Sequence, residues 1–222
     1  MNTSFTEENY LKTIFKLSEQ TSGNVSTNSI AEALQTKASS VTDMIKKLGE
    51  KNLLEHTRYQ GVSLTAEGRG KALGIVRRHR LWEVFLVNKL GMGWDEVHDI
   101  AEQLEHTDSV RLYEELDKFL SYPKYDPHGD PIPDSSGQMH ENSFKVLSEL
   151  PTGTVGMVGG IADHNPEFLQ YLNQIGLVPG ARIVIAGKFD FDGSVRVVIN
   201  GNPELMLSSL AAGNILVHCL HI

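Results

Sequence analysis

His79 and Glu83 stand four positions apart in a run whose apolar residues repeat with a helical period, so their side chains share one face. Further on, His98, Glu102, Glu105 and His106 are spaced four, three and one, which again groups them on one side of a helix. Imidazole nitrogens and carboxylate oxygens are lone-pair donors. Two facing helices that offer them at these intervals can build a divalent-metal site. A set without thiolate favours Mn2+ or Fe2+ over soft-metal chemistry, although Zn2+ would also bind it. Asp126-Pro127-His128 adds a further ligand-type pair in a proline-rich stretch. The plain alternative for His79 and Glu83 is a solvated i,i+4 ion pair. That alternative weakens for the second cluster, because no Lys or Arg lies between Trp94 and His106 to neutralise its carboxylates.

The elements that must position these groups are legible in the periodicity. Thr6 with Glu7 and Glu8 reads as a helix start, followed by Tyr10, Leu11, Ile14, Phe15 and Leu17 at helical spacing and a stop at Gly23. Ser26 or Thr27 caps a short second helix, and a turn at Gln35-Thr36-Lys37 leads into a third helix with Val41, Ile45 and Leu48 on one stripe. Its other face carries Ser, Thr and Lys, side chains that bond phosphates and base edges. Two short alternating runs around Gly61 predict a β-hairpin. Helix, helix-turn-helix and hairpin in that order predict a winged helix-turn-helix.

A long helix is expected from about Ala66 to Asn88, with Gly91 and Gly93 ending it, then helices over Trp94–His106 and Ser109–Leu120. Four prolines between 123 and 133 mark an extended connection. A lone helix is expected at Glu141–Leu150. Beyond Pro151, glycines punctuate short β-type runs, Thr154–Val158, Arg182–Ala186, Val195–Ile199 and Ile215–His218, with one helix near Pro166–Ile175. That pattern predicts a small barrel.

Net charge is −8, which by itself argues against nucleic acid. The distribution of that charge argues the other way: residues 1–80 hold 12 Lys+Arg against 8 Asp+Glu, and residues 81–222 hold 8 against 20. The head is basic and the remainder acidic. The single cysteine, Cys219, the absence of a signal-like start and the lack of a bilayer-length apolar stretch predict a soluble cytoplasmic protein without a membrane partner.

Several long motifs then converge. Ile30-Ala31-Glu32-Ala33-Leu34, Ser39-Ser40-Val41-Thr42, Tyr59-Gln60-Gly61-Val62-Ser63-Leu64-Thr65, Arg78-His79-Arg80-Leu81-Trp82-Glu83, Glu102-Gln103-Leu104-Glu105-His106 and Pro127-His128-Gly129-Asp130-Pro131-Ile132-Pro133 occur in order. In these the chain resembles the DtxR/MntR metal-dependent repressors, in the long form with a C-terminal SH3-like (FeoA-like) domain. The resemblance implies a mainly α fold with a β-rich C-terminal part. It would divide into a winged helix-turn-helix DNA-binding domain (1–72), a helical metal-binding and dimerisation domain (73–140), and a linker helix with the SH3-like domain (141–222).

It also implies two metal positions per subunit. One would join the start of helix 1, where Asn9 replaces the family's Met or Asp and neighbouring Glu8 could substitute, to Glu102, Glu105 and His106. The other would use His79, Glu83 and His98, with Asp126, His128 and one of Asp163, His164 or Glu167. Glu102 and Asp126 stand where relatives carry Cys, which hardens both positions and makes Mn2+ the first expectation and Fe2+ the second. Lys12 stands where short manganese sensors have a second helix-1 carboxylate, which argues against their closely spaced binuclear arrangement. The implied function is a homodimeric repressor that binds double-stranded operator DNA when metal is bound. Lys37, Ser39, Ser40 and Thr42 are the base-edge or phosphate candidates, and Lys46, Lys47, Arg58 and Tyr59 the phosphate contacts. Two rival readings are a metal-dependent hydrolase and a winged-helix regulator of another small molecule.

Overall fold

The computed structural model describes residues 3–21, 23–57, 61–140 and 143–220. Its residues divide into two compact units that do not follow chain order: 1–79 with 102–113 and 133–139, and 80–101 with 114–132 and 140–222. Arg58 and Tyr59 lie outside the described residues.

In the first unit, α1 (Phe5–Thr21) buries Tyr10, Leu11, Ile14 and Phe15, the stripe anticipated from their spacing. α2 (Thr27–Ala33) begins at Ser26, whose hydroxyl accepts from the Ser29 N–H. α3 (Ala38–Glu50) buries Val41, Ile45 and Leu48 against the same core. β1 (Leu54–Thr57) and β2 (Gly61–Leu64) form an antiparallel hairpin in the register Leu54↔Leu64 to Thr57↔Gly61. Val25 bridges to Val62 and ties the hairpin to the helices. α4 (Ala66–Leu90) starts at Thr65, whose hydroxyl accepts from the Gly68 N–H at 3.0 Å. A Cβ at Gly68 would collide with the Leu53 carbonyl, so this helix start and the β1 entry need glycine to pack.

α4 runs two residues beyond the expected Asn88, whereas the two helices after it are shorter than the periodicity suggests. α4 ends at Gly91, whose φ of +69° and bonds to Val87 O (from Gly91 N) and Leu86 O (from Met92 N) make a Schellman-type stop. α5 covers Val97–Leu104, so Glu105 and His106 occupy the turn after it. α6 is Val110–Phe119.

In the second unit, six antiparallel strands run in the order β3-β8-β4-β5-β6-β7. They are β3 (Lys145–Val146), β4 (Val155–Ile161), β5 (Arg182–Lys188), β6 (Val195–Ile199), β7 (Leu205–Leu207) and β8 (Ile215–Cys219). α7 (Pro166–Gln174) is capped by Asn165, and a short α8 (Ser209–Gly213) precedes β8. Leu147, Leu172, Leu177, Ile183, Val197, Leu207 and Ile215 fill the core on the sheet. The helix expected at Glu141–Leu150 is not formed by its described residues. Val146 is extended and β3 pairs with β8, with Lys145 opposite Val217 and Val146 opposite Leu216, and a 3-10 turn over Leu147–Glu149 drops Leu147 into the core. Edge pairing with the sheet overrides the helical spacing there. Among the described residues, no helix is long and apolar enough to cross a membrane.

Glu7 fixes α1 to α3. It is 1% exposed and lies 2.8 Å from Lys51 Nζ and 3.3 Å from Lys47 Nζ. Burial alone would raise its pKa, but the bonds from Lys51, the Ser4 N–H and Lys47 outweigh it and bring the carboxyl from the usual 4.5 down to about 2. A depressed carboxyl stabilises the fold above its unfolded pKa and loses that contribution as pH falls through the folded one. Glu7→Gln is therefore expected to cost about 2 kcal/mol at pH 7 and less than half of that at pH 3, measured by calorimetric unfolding at both pH values.

Candidate metal centre and DNA-binding face

In the second unit, Glu83 from α4 meets Asp126 and His128 from the connection after α6, and one ligand atom of each lies within 4.8 Å of the others. All three are buried. The loop positions its own carboxylate: Asp126 Oδ1 accepts from the N–H groups of His128 at 2.8 Å and Asp130 at 3.0 Å. Asp126 Oδ2 lies 3.5 Å from Arg80 Nε. His128 Nε2 lies 2.8 Å from the backbone oxygen of Trp94. Only an N–H bonds a carbonyl, so Nε2 carries a proton and Nδ1 is the atom left to face Glu83 Oε2, at 3.6 Å. His98 Nδ1 approaches Glu83 Oε1 at 3.3 Å, with its ring half-exposed.

This cluster fits a divalent cation. Burial, the Glu83 charge and the Asp130 charge together push Asp126 up to about 7, against the opposing charges of Arg80 and His128. Burial would lower His128, but its bond to Glu83 and the charges of Glu83 and Asp126 raise it to about 9. Both shifts have one origin: the buried carboxylates exceed what Arg80 neutralises, so the cluster binds protons near neutral pH. A divalent ion held by Glu83, Asp126 and His128 would supply the same compensation.

Backbone proximity holds the candidate ligands. Gly129 has φ +89°, and a Cβ there would come within 2.5 Å of Gly159 O. A Cβ at Gly160 would collide with His128 O, which also accepts from the Ile161 N–H at 2.9 Å. β4 bulges between Val158 and Gly160 at this contact. Trp94 is anchored through its indole N–H to Asn173 Oδ1 at 2.6 Å. All three C-terminal candidates are exposed; His164 places its ring 5.1 Å from that of His128, whereas Asp163 accepts from the Asn165 N–H.

The first unit gathers the other candidates differently. Glu105 is fully buried, and Lys12 Nζ lies 2.7 and 2.9 Å from its two oxygens and 3.0 Å from Glu102 Oε1. His79 Nδ1 lies 2.6 Å from Glu105 Oε2. His106 Nδ1 lies 2.8 Å from Glu8 Oε2, which also receives Arg78 Nη2 at 3.0 Å, and Phe5 stacks on the His106 ring. Burial would raise the Glu105 pKa, but the His79 bond and the Lys12 charge outweigh it and lower it. The cation absent from Trp94–His106 thus arrives from α1, 93 residues away from Glu105. Asn9 lines a cleft of about 470 Å³ with Lys12 and Glu102. The helix-1 side chain that meets His106 is Glu8 rather than Asn9, and Glu105 Oε1 lies 3.7 Å from its other ring nitrogen.

On α3, the face opposite Val41, Ile45 and Leu48 is exposed and carries Ser39, Ser40, Thr42 and Lys46, with Lys37 at its N-cap. The Thr42 hydroxyl bonds back to Ala38 O at 2.9 Å. Lys47 is half-exposed but paired with Glu7.

Known families match the chain along nearly its whole length. Residues 2–62 match the iron dependent repressor N-terminal DNA binding domain, 65–134 the iron dependent repressor metal binding and dimerisation domain, and 145–219 the FeoA domain. The iron-dependent repressor IdeR of Mycobacterium leprae is 31% identical, over 91% of this chain and 92% of its own. The chain belongs to the DtxR family of metal-dependent transcriptional repressors. A manganese-dependent transcriptional repressor in complex with manganese is 41% identical with a TM-score of 0.82, covering 96% of this chain and 100% of that one. The manganese regulator SloR is 35% identical with a TM-score of 0.72, covering 96% and 98%. This family consists of DNA-binding repressors rather than enzymes, which removes the hydrolase reading.

Gly129→Ala tests the backbone support of the centre. The added Cβ displaces the Asp126–His128 turn from β4, and Mn2+ affinity is expected to fall about tenfold or more in a binding isotherm. Unchanged affinity would show that the close approach does not position the ligands.

Proposed function

We propose that this DtxR-family repressor responds to Mn2+, with Fe2+ as the second reading. The ion would sit at Glu83, His98, Asp126 and His128, with His164 as a neighbouring donor. The observation that carries this is the buried Glu83–Asp126–His128 cluster, whose excess negative charge calls for a hard cation. The only cysteine, Cys219, packs instead against the core of the β-sheet.

On this reading, residues 1–72 read DNA, 73–140 bind metal and dimerise, and 141–222 form the SH3-like part. Lys37, Ser39, Ser40, Thr42 and Lys46 face the operator from α3. Lys47 contributes to phosphate binding only from within its ion pair, and Arg58 and Tyr59, between β1 and β2 in the sequence, add further phosphate contacts. Exposed Leu90 and Phe119 support a two-fold dimer through the helical part. Metal shifts the protein toward its operator-binding geometry by binding that geometry more tightly.

The test is a mobility-shift titration on a palindromic promoter fragment with Mn2+, Fe2+, Zn2+ or Co2+ at buffered free concentrations. Half-saturation with Mn2+ is expected at a protein concentration about 100-fold lower than with chelator. Equal binding in both conditions would sink the metal-switch reading. Ser39→Ala is expected to weaken operator binding by about 1–3 kcal/mol if it reads a base edge, and Lys46→Ala to weaken all duplexes alike. Both are read out on specific and scrambled fragments.

A further inference from the structure

The helix-1 position implied by the family resemblance does not fit a metal ion in this chain. Lys12 is 4% exposed, and its ammonium lies within hydrogen-bond distance of three oxygens: Glu105 Oε1 at 2.7 Å, Glu105 Oε2 at 2.9 Å and Glu102 Oε1 at 3.0 Å. An ammonium has three N–H donors, so its bonding capacity is filled. The nearby His106 is engaged by Glu8, and Glu8 in turn by Arg78. Arg78 also donates to the Glu105 backbone oxygen at 2.6 Å. Two fixed cations, Lys12 and Arg78, thus face the carboxylates of this cluster, of which Glu105 is fully buried.

We infer that Lys12 is a built-in cation in place of a metal ion, so that each subunit holds one regulatory divalent ion rather than two. The tie between helix 1 and the Glu102–His106 turn is then independent of metal. A divalent ion entering there would have to expel a buried ammonium and leave it without its three partners, at the full desolvation cost of that charge. The inference rests on the reading of this chain as a metal-responsive DtxR-family repressor only for the count at the other position. The lysine assignment itself stands on the Lys12, Glu102 and Glu105 contacts.

Bound Mn2+ per subunit is measured on the full chain by equilibrium dialysis and elemental analysis, for wild type, Lys12→Asp and Asp126→Asn. One ion is expected on wild type, two on Lys12→Asp and none on Asp126→Asn. Two ions on wild type, or one that Asp126→Asn retains, would overturn the inference while leaving a metal-responsive repressor in place. No ion on wild type with one on Lys12→Asp would sustain the lysine assignment and overturn the metal-responsive reading instead. Should Lys12→Asp fail to fold, Lys12→Met carries the test. Its melting temperature in chelator is expected to fall by about 10 °C, and Mn2+ is expected to raise it further than it raises wild type. An Mn2+ upshift no larger than that of wild type would count against the built-in cation.

Discussion

Carboxylate burial governs the construction of this protein. Glu105 and Glu83 are withdrawn almost completely from solvent, and an ionised carboxylate in such surroundings persists only with a cation beside it. The two clusters meet that demand by different means. Around Glu105 the counter-charge is covalent, an ammonium delivered by α1. In the Glu83–Asp126–His128 cluster a fixed cation comes from Arg80, which lies 3.5 Å from Asp126 and 2.9 Å from Asp130. The remainder of that demand is met by protons, at Asp126 and His128, or by a bound ion. On the proposed reading, one cluster ties helix 1 to the turn after α5 and the other takes a cation from outside.

The scaffolding follows from keeping each arrangement in register. Lys12 sits on the buried side of α1 beside Leu11 and Ile14, so the apolar stripe that seats the helix also buries the charge. In the second unit the constraint is backbone contact. Gly129 and Gly160 allow the Asp126–His128 turn to touch β4 directly, and the bulge in that strand makes room for it. Trp94 completes the arrangement from the other side, with its carbonyl choosing the His128 tautomer and its indole N–H fixed by Asn173. Thus the β-domain does more than follow the helices in sequence: its strand and α7 hold the turn that carries two of the three clustered ligand groups.

Much of this was legible in the sequence because it is local. The helix stripes, the Ser26 cap, the hairpin and the glycine stop after α4 are patterns within a few residues. The candidate ligand types at His79, Glu83, His98 and Glu102 likewise follow from spacing within a helix, whereas Glu105 and His106 fall in the turn after α5. What spacing could not reveal was partner choice over distance. The Glu102–His106 carboxylates read as unneutralised because no base lies nearby, yet Lys12 reaches them from α1. The preference for Glu8 over Asn9 beside His106 depends on the rotation of α1, which one residue changes by about 100°. The segment around Lys145–Leu147 carried a helical pattern, but β8 offered it an edge, and sheet pairing is invisible to a local window.

These two kinds of compensation bear on how a signal can arise. A lysine held by its own backbone is present at a constant effective concentration, so a position it fills cannot report how much metal surrounds the protein. An ion drawn from solution can, because its occupancy rises with free concentration and stabilises whichever geometry binds it better. On the proposed reading, sensing therefore belongs to the Glu83–Asp126–His128 cluster, where occupancy competes with protons. Selectivity there cannot come from thiolate softness, since none is offered. It has to come from the size and rigidity of an oxygen-and-imidazole cage, and the glycine contacts between the turn and β4 are what make that cage rigid.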